Sequence, residues 1–484
     1  MLKSFFKNVS FMLALNLAIK PLWVLCEIWI QNRVGDTEYG LYSATFSLCM
    51  ILGITLDLGI NQMITREIAR DNQVGKSLFS EAFGVKLMLI PVFFGLAFIA
   101  ATILHYNSAQ IKMLAILSTA QVFTSLLLFM RAGFQGLHYF KQDSLLSVLD
   151  RGVLIVGLVI LLLGTQFNIF FLGYMQIVAY VATFLIALIT LQKKSVYVCV
   201  HFSKNAVKRI LKKTTPYAML WLFMTIYTRI DSVMLEWLLR DTQNKDFGKY
   251  MAGVYASAYR LMDFSNTIPI MFATILFPVF TSLLDKKKVL EVFVKNVLVA
   301  MILITMVIVS CCTFYAKDIL SLLYKAKGIA SIELATPVFI VLMWAYICFV
   351  LIYVFGTLLT SAEALYQLCQ ITVVGAIISV ILNVILIPKF YALGASVALL
   401  VTQILMVILH VFLCQKRFSF VYGRLYVLKI VVFMCGSFLI GYATTFLPLI
   451  WLFKMFVNGF FVLIFAFAIR FVSKETFVMI LKRR

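Results

Sequence analysis

Gly40-Leu41-Tyr42-Ser43-Ala44-Thr45-Phe46-Ser47-Leu48 is echoed later in the chain by Gly253-Val254-Tyr255-Ala256-Ser257-Ala258-Tyr259-Arg260-Leu261. Each nonapeptide opens an apolar stretch long enough to cross a bilayer, and each stretch is the second of its half. Six stretches separate the two copies. Six crossings return a chain to the side it left, so the repeat is parallel, with its pseudo-twofold axis along the membrane normal.

Working outward from these copies, about fourteen apolar stretches fill the sequence, each near the ~20 residues needed to cross ~30 Å of hydrocarbon. Of the 484 residues, 63% are hydrophobic and only 13% charged, with a mean hydropathy of +1.02, which leaves no room for a separate water-soluble domain. Backbone groups inside lipid must pair within their own segment, so the stretches are expected to be helices. The expected fold class is all-α: a polytopic membrane protein of about 14 transmembrane helices, in two pseudo-symmetric six-helix lobes plus two C-terminal helices. The lobes divide as 1–192 (spans 1–6), 193–415 (a basic cytoplasmic linker and spans 7–12) and 416–484 (spans 13 and 14 with a basic tail). Lys3 and Lys7 precede an apolar run too long for a signal peptide and followed by no small-residue cleavage site, which is read as a retained first span.

The formal net charge of +22 is largely a topology signal. Most of the 42 Lys and Arg share one side if the N-terminus is cytoplasmic, in segments such as 66–76, 193–213, 286–295, 416–424 and 470–484. Both termini are then expected in the cytoplasm, and the dense run from Lys193 to Lys213 is read as a solvated or lipid-headgroup surface rather than a nucleic-acid site. Cysteines and histidines have no ligand-like spacing, so neither disulfides nor a structural metal are expected.

Charges inside the spans carry the functional signal. A charged side chain at mid-span costs about 2.5–3.5 kcal/mol on insertion scales and therefore belongs against protein or a wet cavity. Lys20, Glu27, Asp57, Lys86, Arg151, Arg229, Asp231, Arg260 and Asp263 are such residues. Offsets of four and seven put Asn16, Lys20 and Glu27 on one face of the first span, beside Pro21; Asp57 and Asn61 share a face of the second, and Arg260 and Asp263 a face of the eighth. Arg229 and Asp231 cannot point the same way. Lys86 is close enough to the end of its span to snorkel to the interface, and Asp150 with Arg151 suits an ion pair as well as a ligand site. Lys20, Arg229, Arg260 and Arg151 are the candidate substrate-binding cations, because guanidinium and ammonium groups in a low-dielectric surround hold phosphate strongly. Glu27, Asp57, Asp231 and Asp263 are candidates for a coupling ion or for pairing with those cations.

No catalytic or nucleotide-binding constellation is legible. Gly75-Lys76-Ser77 lacks the upstream glycine of a phosphate loop, since position 70 is Arg. Transport without chemistry on the substrate is the expected activity. No catalytic residue, metal or cofactor is assigned, with H+ or Na+ as the candidate coupling ion.

In motif order the chain resembles the polysaccharide and O-antigen flippase branch of the multidrug/oligosaccharidyl-lipid/polysaccharide exporter superfamily, over essentially its whole length. The resemblance rests on Glu38-Tyr39-Gly40-Leu41-Tyr42, Asp57-Leu58-Gly59-Ile60-Asn61 and Arg66-Glu67-Ile68-Ala69-Arg70 in the first half. In the second it rests on Arg229-Ile230-Asp231-Ser232-Val233-Met234-Leu235, Leu276-Phe277-Pro278, and Leu386-Ile387-Pro388-Lys389-Phe390 with Gly394-Ala395. It implies a multi-pass protein of the bacterial inner membrane that flips an undecaprenyl-diphosphate-linked oligosaccharide for O-antigen, capsule or exopolysaccharide synthesis, by alternating access around a cationic cavity. The implied partners are that lipid-linked substrate, membrane lipids, and a polysaccharide polymerase with its chain-length machinery, around a functional monomer. A multidrug exporter and a lipid II flippase would share the fold. A glycan polymerase would need a larger outer loop than any here.

Overall fold

A computed structural model describes the backbone of residues 2–164, 167–193, 204–240, 242, 246–326 and 328–471, and side chains from residue 18 onward apart from those at 72–76 and 204–206. Lys3, Lys7, Asn16, most of the 193–203 run and the tail beyond 471 fall outside what is described in side-chain detail. The chain is helical nearly throughout: α1 (Leu2–Leu52), α2 (Ile60–Arg70), α3 (Asn72–Ile103), α4 (Ser108–Gly136), α5 (Phe140–Leu163), α6 (Ile169–Gln192), α7 (Lys204–Leu238) and α8 (Phe247–Ser265). There follow α9 (Thr267–Leu283), α10 (Lys287–Phe314), α11 (Ala316–Leu323), α12 (Ile329–Ser361), α13 (Leu365–Phe418), α14 (Arg424–Thr445) and α15 (Trp451–Ala468).

Among the described residues, 12 helices are long and apolar enough to cross a membrane. Two of them are hairpins. At 54 residues, α13 would be about 80 Å long if straight, far beyond one bilayer core. It reverses at Tyr391 (φ 53°, ψ −129°), and a Cβ placed on Gly394 would strike the backbone of Leu386 and Ile387, which only a fold-back brings near. This is the turn expected from the Leu386–Phe390 motif. Likewise α1 breaks at Gly35 (φ 82°), and Tyr39 beyond the break donates to Glu27 before it at 3.1 Å. With both hairpins opened, the spans number fourteen, as the hydropathy pattern predicts. The expected eighth span is built of two helices, α8 and α9, joined at Asn266.

The chain forms two compact units, Met1–Ala256 and Ser257–Arg484. The repeat itself suggests a division near residue 193; the observed division falls later because α7 and the start of α8 pack into the first unit. Two buried clusters form that unit's interior. One joins Ile30, Tyr39, Leu114, Leu154, Leu172 and Val233; the other joins Ile64, Phe79, Phe129, Leu191 and Ile210, so each takes a residue from α7.

The equivalent glycines of the repeat meet inside this first unit. A Cβ on Gly40 would overlap the carbonyl of Lys249 and the amide of Gly253, and one on Gly253 would overlap the backbone of Asp36. Glycine at both positions lets two helices touch backbone to backbone, as small residues do in membrane-helix packing. Gln31 stitches the contact by donating to Asp36 Oδ1 (2.7 Å) and to the Gly253 carbonyl (2.8 Å).

In the second unit, α14 and α15 attach to α10 through small and polar residues. Ser310 donates to Asn458 at 2.9 Å, Tyr315 to Thr444 at 2.9 Å, and Gly441 lies against Phe314. Phe446, Phe453, Phe456 and Phe460 on this pair are exposed, the surface expected of helices that face lipid.

Overpacking the repeat contact should be disruptive. Gly253→Leu is expected to lower the detergent-solubilised melting temperature sharply or to prevent folding, well beyond the ~1–3 kcal/mol of an ordinary overpacked core. Gly95→Ala, where added bulk meets open space, should leave the melting temperature unchanged; fluorescence-detected size-exclusion melting compares the two.

Candidate functional site

The first unit contains a polar cluster at the level of the α1 hairpin, drawn from α1, α4, α5 and α6. Glu27 is half-buried and accepts from the Tyr39 hydroxyl. The Tyr39 and Tyr42 rings lie 5.5 Å apart, and Tyr42 accepts from Gln176 Nε2 at 2.7 Å. One turn beyond Gln176, Tyr180 pairs with Thr124 and stands within electrostatic reach of Asp150, Arg151 and Glu27. Asp150 Oδ1 accepts the Arg151 backbone amide at 2.7 Å, and Arg131 adds a second positive charge nearby. The structure thus gathers Glu27 and Arg151, singled out from the sequence, with tyrosines that the sequence did not single out. Phenol, guanidinium and carboxylate together suit hydroxyl-rich or anionic groups on one side and a small cation on the other.

Asp57 belongs to a different environment. The second span breaks at a 3-10 turn (Gly53–Leu56) and passes through left-handed Leu58 (φ 46°) and Gly59 (φ 78°) before α2 begins. Gly59 sits against Tyr217 and the Thr214 carbonyl, where no side chain would fit. Asp57, at the break, pairs with Lys86 Nζ at 3.2 Å. Lys86 also donates to Ser125 Oγ (2.8 Å) and the Ser125 carbonyl (3.1 Å), with the Phe129 ring centroid 5.5 Å away. Ser125 Oγ in turn donates to the Leu56 carbonyl, a group that the broken helix leaves over. Lys86 therefore does not snorkel; its side chain is 1% exposed and satisfied inside the protein. The Asp-Leu-Gly motif is a helix break held by a buried lysine.

The remaining candidates lie on α1, α7 and α8. Lys20 is half-buried on α1, two turns before Glu27. Arg229 is half-buried on α7, whereas Asp231 is 1% exposed and accepts from Tyr255 Oη at 2.7 Å, consistent with their opposite directions. Arg260, in the second unit, is buried and donates to Tyr324 Oη at 3.0 Å; that hydroxyl lies 3.2 Å from the Ser257 carbonyl. Asp263, one turn later, is exposed. Within the basic run after span six, Arg209 pairs with Glu81, and Lys213 lies 3.6 Å from Glu67, so part of it serves as internal ion pairs. No group of three or more His, Cys, Asp or Glu side chains that could hold a metal occurs among the described residues.

A family model described as "Polysaccharide biosynthesis protein" matches residues 5–284, more than half of the chain. No curated protein matches. Among solved structures, a lipid II flippase, MurJ, in an inward closed conformation superposes with a TM-score of 0.79 at 14% identity, over 95% of this chain and 99% of that one. An inward-facing multidrug resistance MATE transporter of the MOP superfamily gives 0.64 at 16% identity, over 84% and 98%. A MOP superfamily transporter from Pyrococcus furiosus, described as having a binding pocket of reversed polarity, gives 0.57 at 16% identity, over 85% and 95%. At these identities the likeness is one of fold.

Removing one partner of the buried pair should cost more than removing both. Lys86→Met is expected to destabilise by about 3–5 kcal/mol, because it strands Asp57, and the double variant Asp57→Leu/Lys86→Met should recover much of that loss. Thermal melts of the four proteins form the cycle; a double variant no better than the single would contradict the pairing.

Proposed function

This chain belongs to the polysaccharide biosynthesis protein family, and from that premise we propose that it flips an undecaprenyl-diphosphate-linked oligosaccharide from the cytoplasmic to the periplasmic leaflet of a bacterial inner membrane. The observation that carries the reading is the family match over residues 5–284, which spans the helices bearing Lys20, Arg151, Arg229 and Arg260. The fold supports it, being one used by lipid-linked-substrate and multidrug transporters alike. The site chemistry supports the lipid-linked choice, because the spans supply basic side chains suited to a diphosphate.

In this reading Lys20, Arg151, Arg229 and Arg260 neutralise the diphosphate as it leaves the headgroup region, where each phosphate would otherwise be desolvated without compensation. The tyrosine-rich cluster around Tyr39, Tyr42 and Tyr180 offers hydroxyl and ring contacts to the sugars. The isoprenoid tail stays in lipid. Two conformations expose the substrate to one leaflet at a time, and the substrate or ion gradient biases their populations. Glu27, which is half-buried, is the favoured candidate for H+ or Na+, since Asp57 is paired with Lys86 and Asp231 is buried. Both termini lie in the cytoplasm, on the side that the Lys and Arg distribution assigns. A polymerase and chain-length machinery would take up the delivered product, and the protein acts without catalysing any reaction.

Arg229→Ala and Arg151→Ala should each reduce surface glycan at least tenfold in a host lacking its own flippase, with membrane levels of the protein unchanged. Glycan immunoblots and detergent-extracted protein levels read the two quantities. Unchanged glycan in both variants would remove the cationic residues from the mechanism. Rescue of a strain depleted of its lipid II flippase, or a raised resistance to organic cations, would move the assignment to another branch of the same fold.

A further inference from the structure

The seventh span opens the second repeat by sequence, yet it is fastened to the first unit at both ends. At one end, Glu236 is 1% exposed and takes a forked contact from Arg240, with Nε–Oε1 at 3.1 Å and Nη2–Oε2 at 2.8 Å. Arg240 Nη1 reaches on to the carbonyls of Leu104 and His105, in the turn just beyond α3, and its guanidinium lies 5.7 Å from the Tyr106 ring centroid. Gln110 completes the knot. Its Nε2 donates to Glu236 Oε1 at 2.6 Å, while its Oε1 accepts the Asn107 amide in the capping box that starts α4.

At the other end, Arg209 pairs with Glu81 of α3, Lys213 lies near Glu67 of α2, and Tyr217 packs on Gly59. Between these ends, Ile226, Ile230 and Val233 join one buried cluster of the first unit and Val207 and Ile210 the other. The boundary between the two units falls between Ala256 and Ser257, in the middle of the continuous helix α8.

We propose that α7 travels as part of the first unit during transport, so that the moving bodies are not the two sequence repeats and the joint between them lies in α8 rather than in the linker at 193–213. This rests on the transporter reading above. The physical argument is one of cost. Moving α7 away from spans 1–6 would strip the buried Glu236 carboxylate of Gln110, pull Arg240, which travels with α7, off the Leu104 and His105 carbonyls, and open two apolar clusters in a single step. A joint inside α8 disturbs none of these contacts. Glu236 and Arg240 are then positioning residues, tying the helix that carries Arg229 to α4 and to the turn after α3.

The test tethers α7 where it lies. Glu67→Cys/Lys213→Cys, joined by a short reducible bis-thiosulfonate, is reconstituted in liposomes with an isoprenyl-diphosphate-linked N-acetylglucosamine as the probe. Flipping by the tethered protein should stay within about twofold of the same protein after reduction. A loss of tenfold or more that reduction restores would show that α7 leaves the first unit, and would overturn the proposal.

Hydrogen exchange on the untethered wild-type protein in nanodiscs supplies a second reading that needs no transport. Amides of α7 should open in the same cooperative step as those of α4 and α6. Release together with α10 and α12 would overturn the proposal as well. If the untethered liposomes move no probe while exchange behaves as expected, the choice of substrate has failed and the mechanical assignment stands.

Discussion

A charge inside hydrocarbon has to find its opposite or its hydrogen bonds within the protein, and the arrangement of this molecule follows from that requirement. Lys86 is the plainest case. Its ammonium has three protons to place, and Asp57, the Ser125 hydroxyl and the Ser125 carbonyl receive them. These acceptors come from a broken span and from a neighbouring helix, so satisfying one lysine fixes the bend in the second span and its distance from α4. Ser125 then passes the constraint on to the Leu56 carbonyl, which a continuous helix would have satisfied by itself. The left-handed turn through Leu58 and Gly59 brings Gly59 against Tyr217 and the Thr214 carbonyl, where a Cβ would collide.

The same requirement separates residues that look alike in sequence. Asp57, Asp231 and Glu27 are all carboxylates within spans, but one is neutralised by a lysine, one is buried against the Tyr255 hydroxyl, and one is half-buried and accepts from Tyr39. Burial and partner distinguish these carboxylates, and neither can be read from a hydropathy profile.

Much of the fold was legible because membrane helices are long, contiguous and dictated by backbone pairing. The fourteen spans, the turn after Leu386-Ile387-Pro388 and the pair of repeated glycine motifs all rest on local composition. Lys86 shows where such reading stops. Its position near the end of a span fits snorkelling, and the choice against it was made by Asp57 and Ser125, which lie 29 and 39 residues away in sequence. The Glu236–Gln110 contact spans 126 residues and left no local trace at all. Tyr39 and Tyr42 were legible only as motif residues and Tyr180 not at all, because tyrosine is ordinary in a membrane span until a carboxylate is found beside it.

Chemical equivalence of two sequence motifs does not dictate mechanical equivalence of the helices that carry them. Gly40 and Gly253 remain interchangeable in role: each removes a side chain so that the two copies of one helix can touch, and the contact fails if either gains bulk. The helices preceding them have diverged. The first bends at Gly35 and passes directly into its partner, whereas α7 carries Glu236 and Arg240 at one end and Arg209 and Lys213 at the other, all engaged with α2, α3 or α4. Each of those side chains is a polar group whose partner lies in the first repeat, and together they pull a helix of the second repeat across the boundary that the duplication drew. The first compact unit therefore runs past the sixth span to Ala256, because ion pairs and hydrogen bonds fasten α7 to the helices before it.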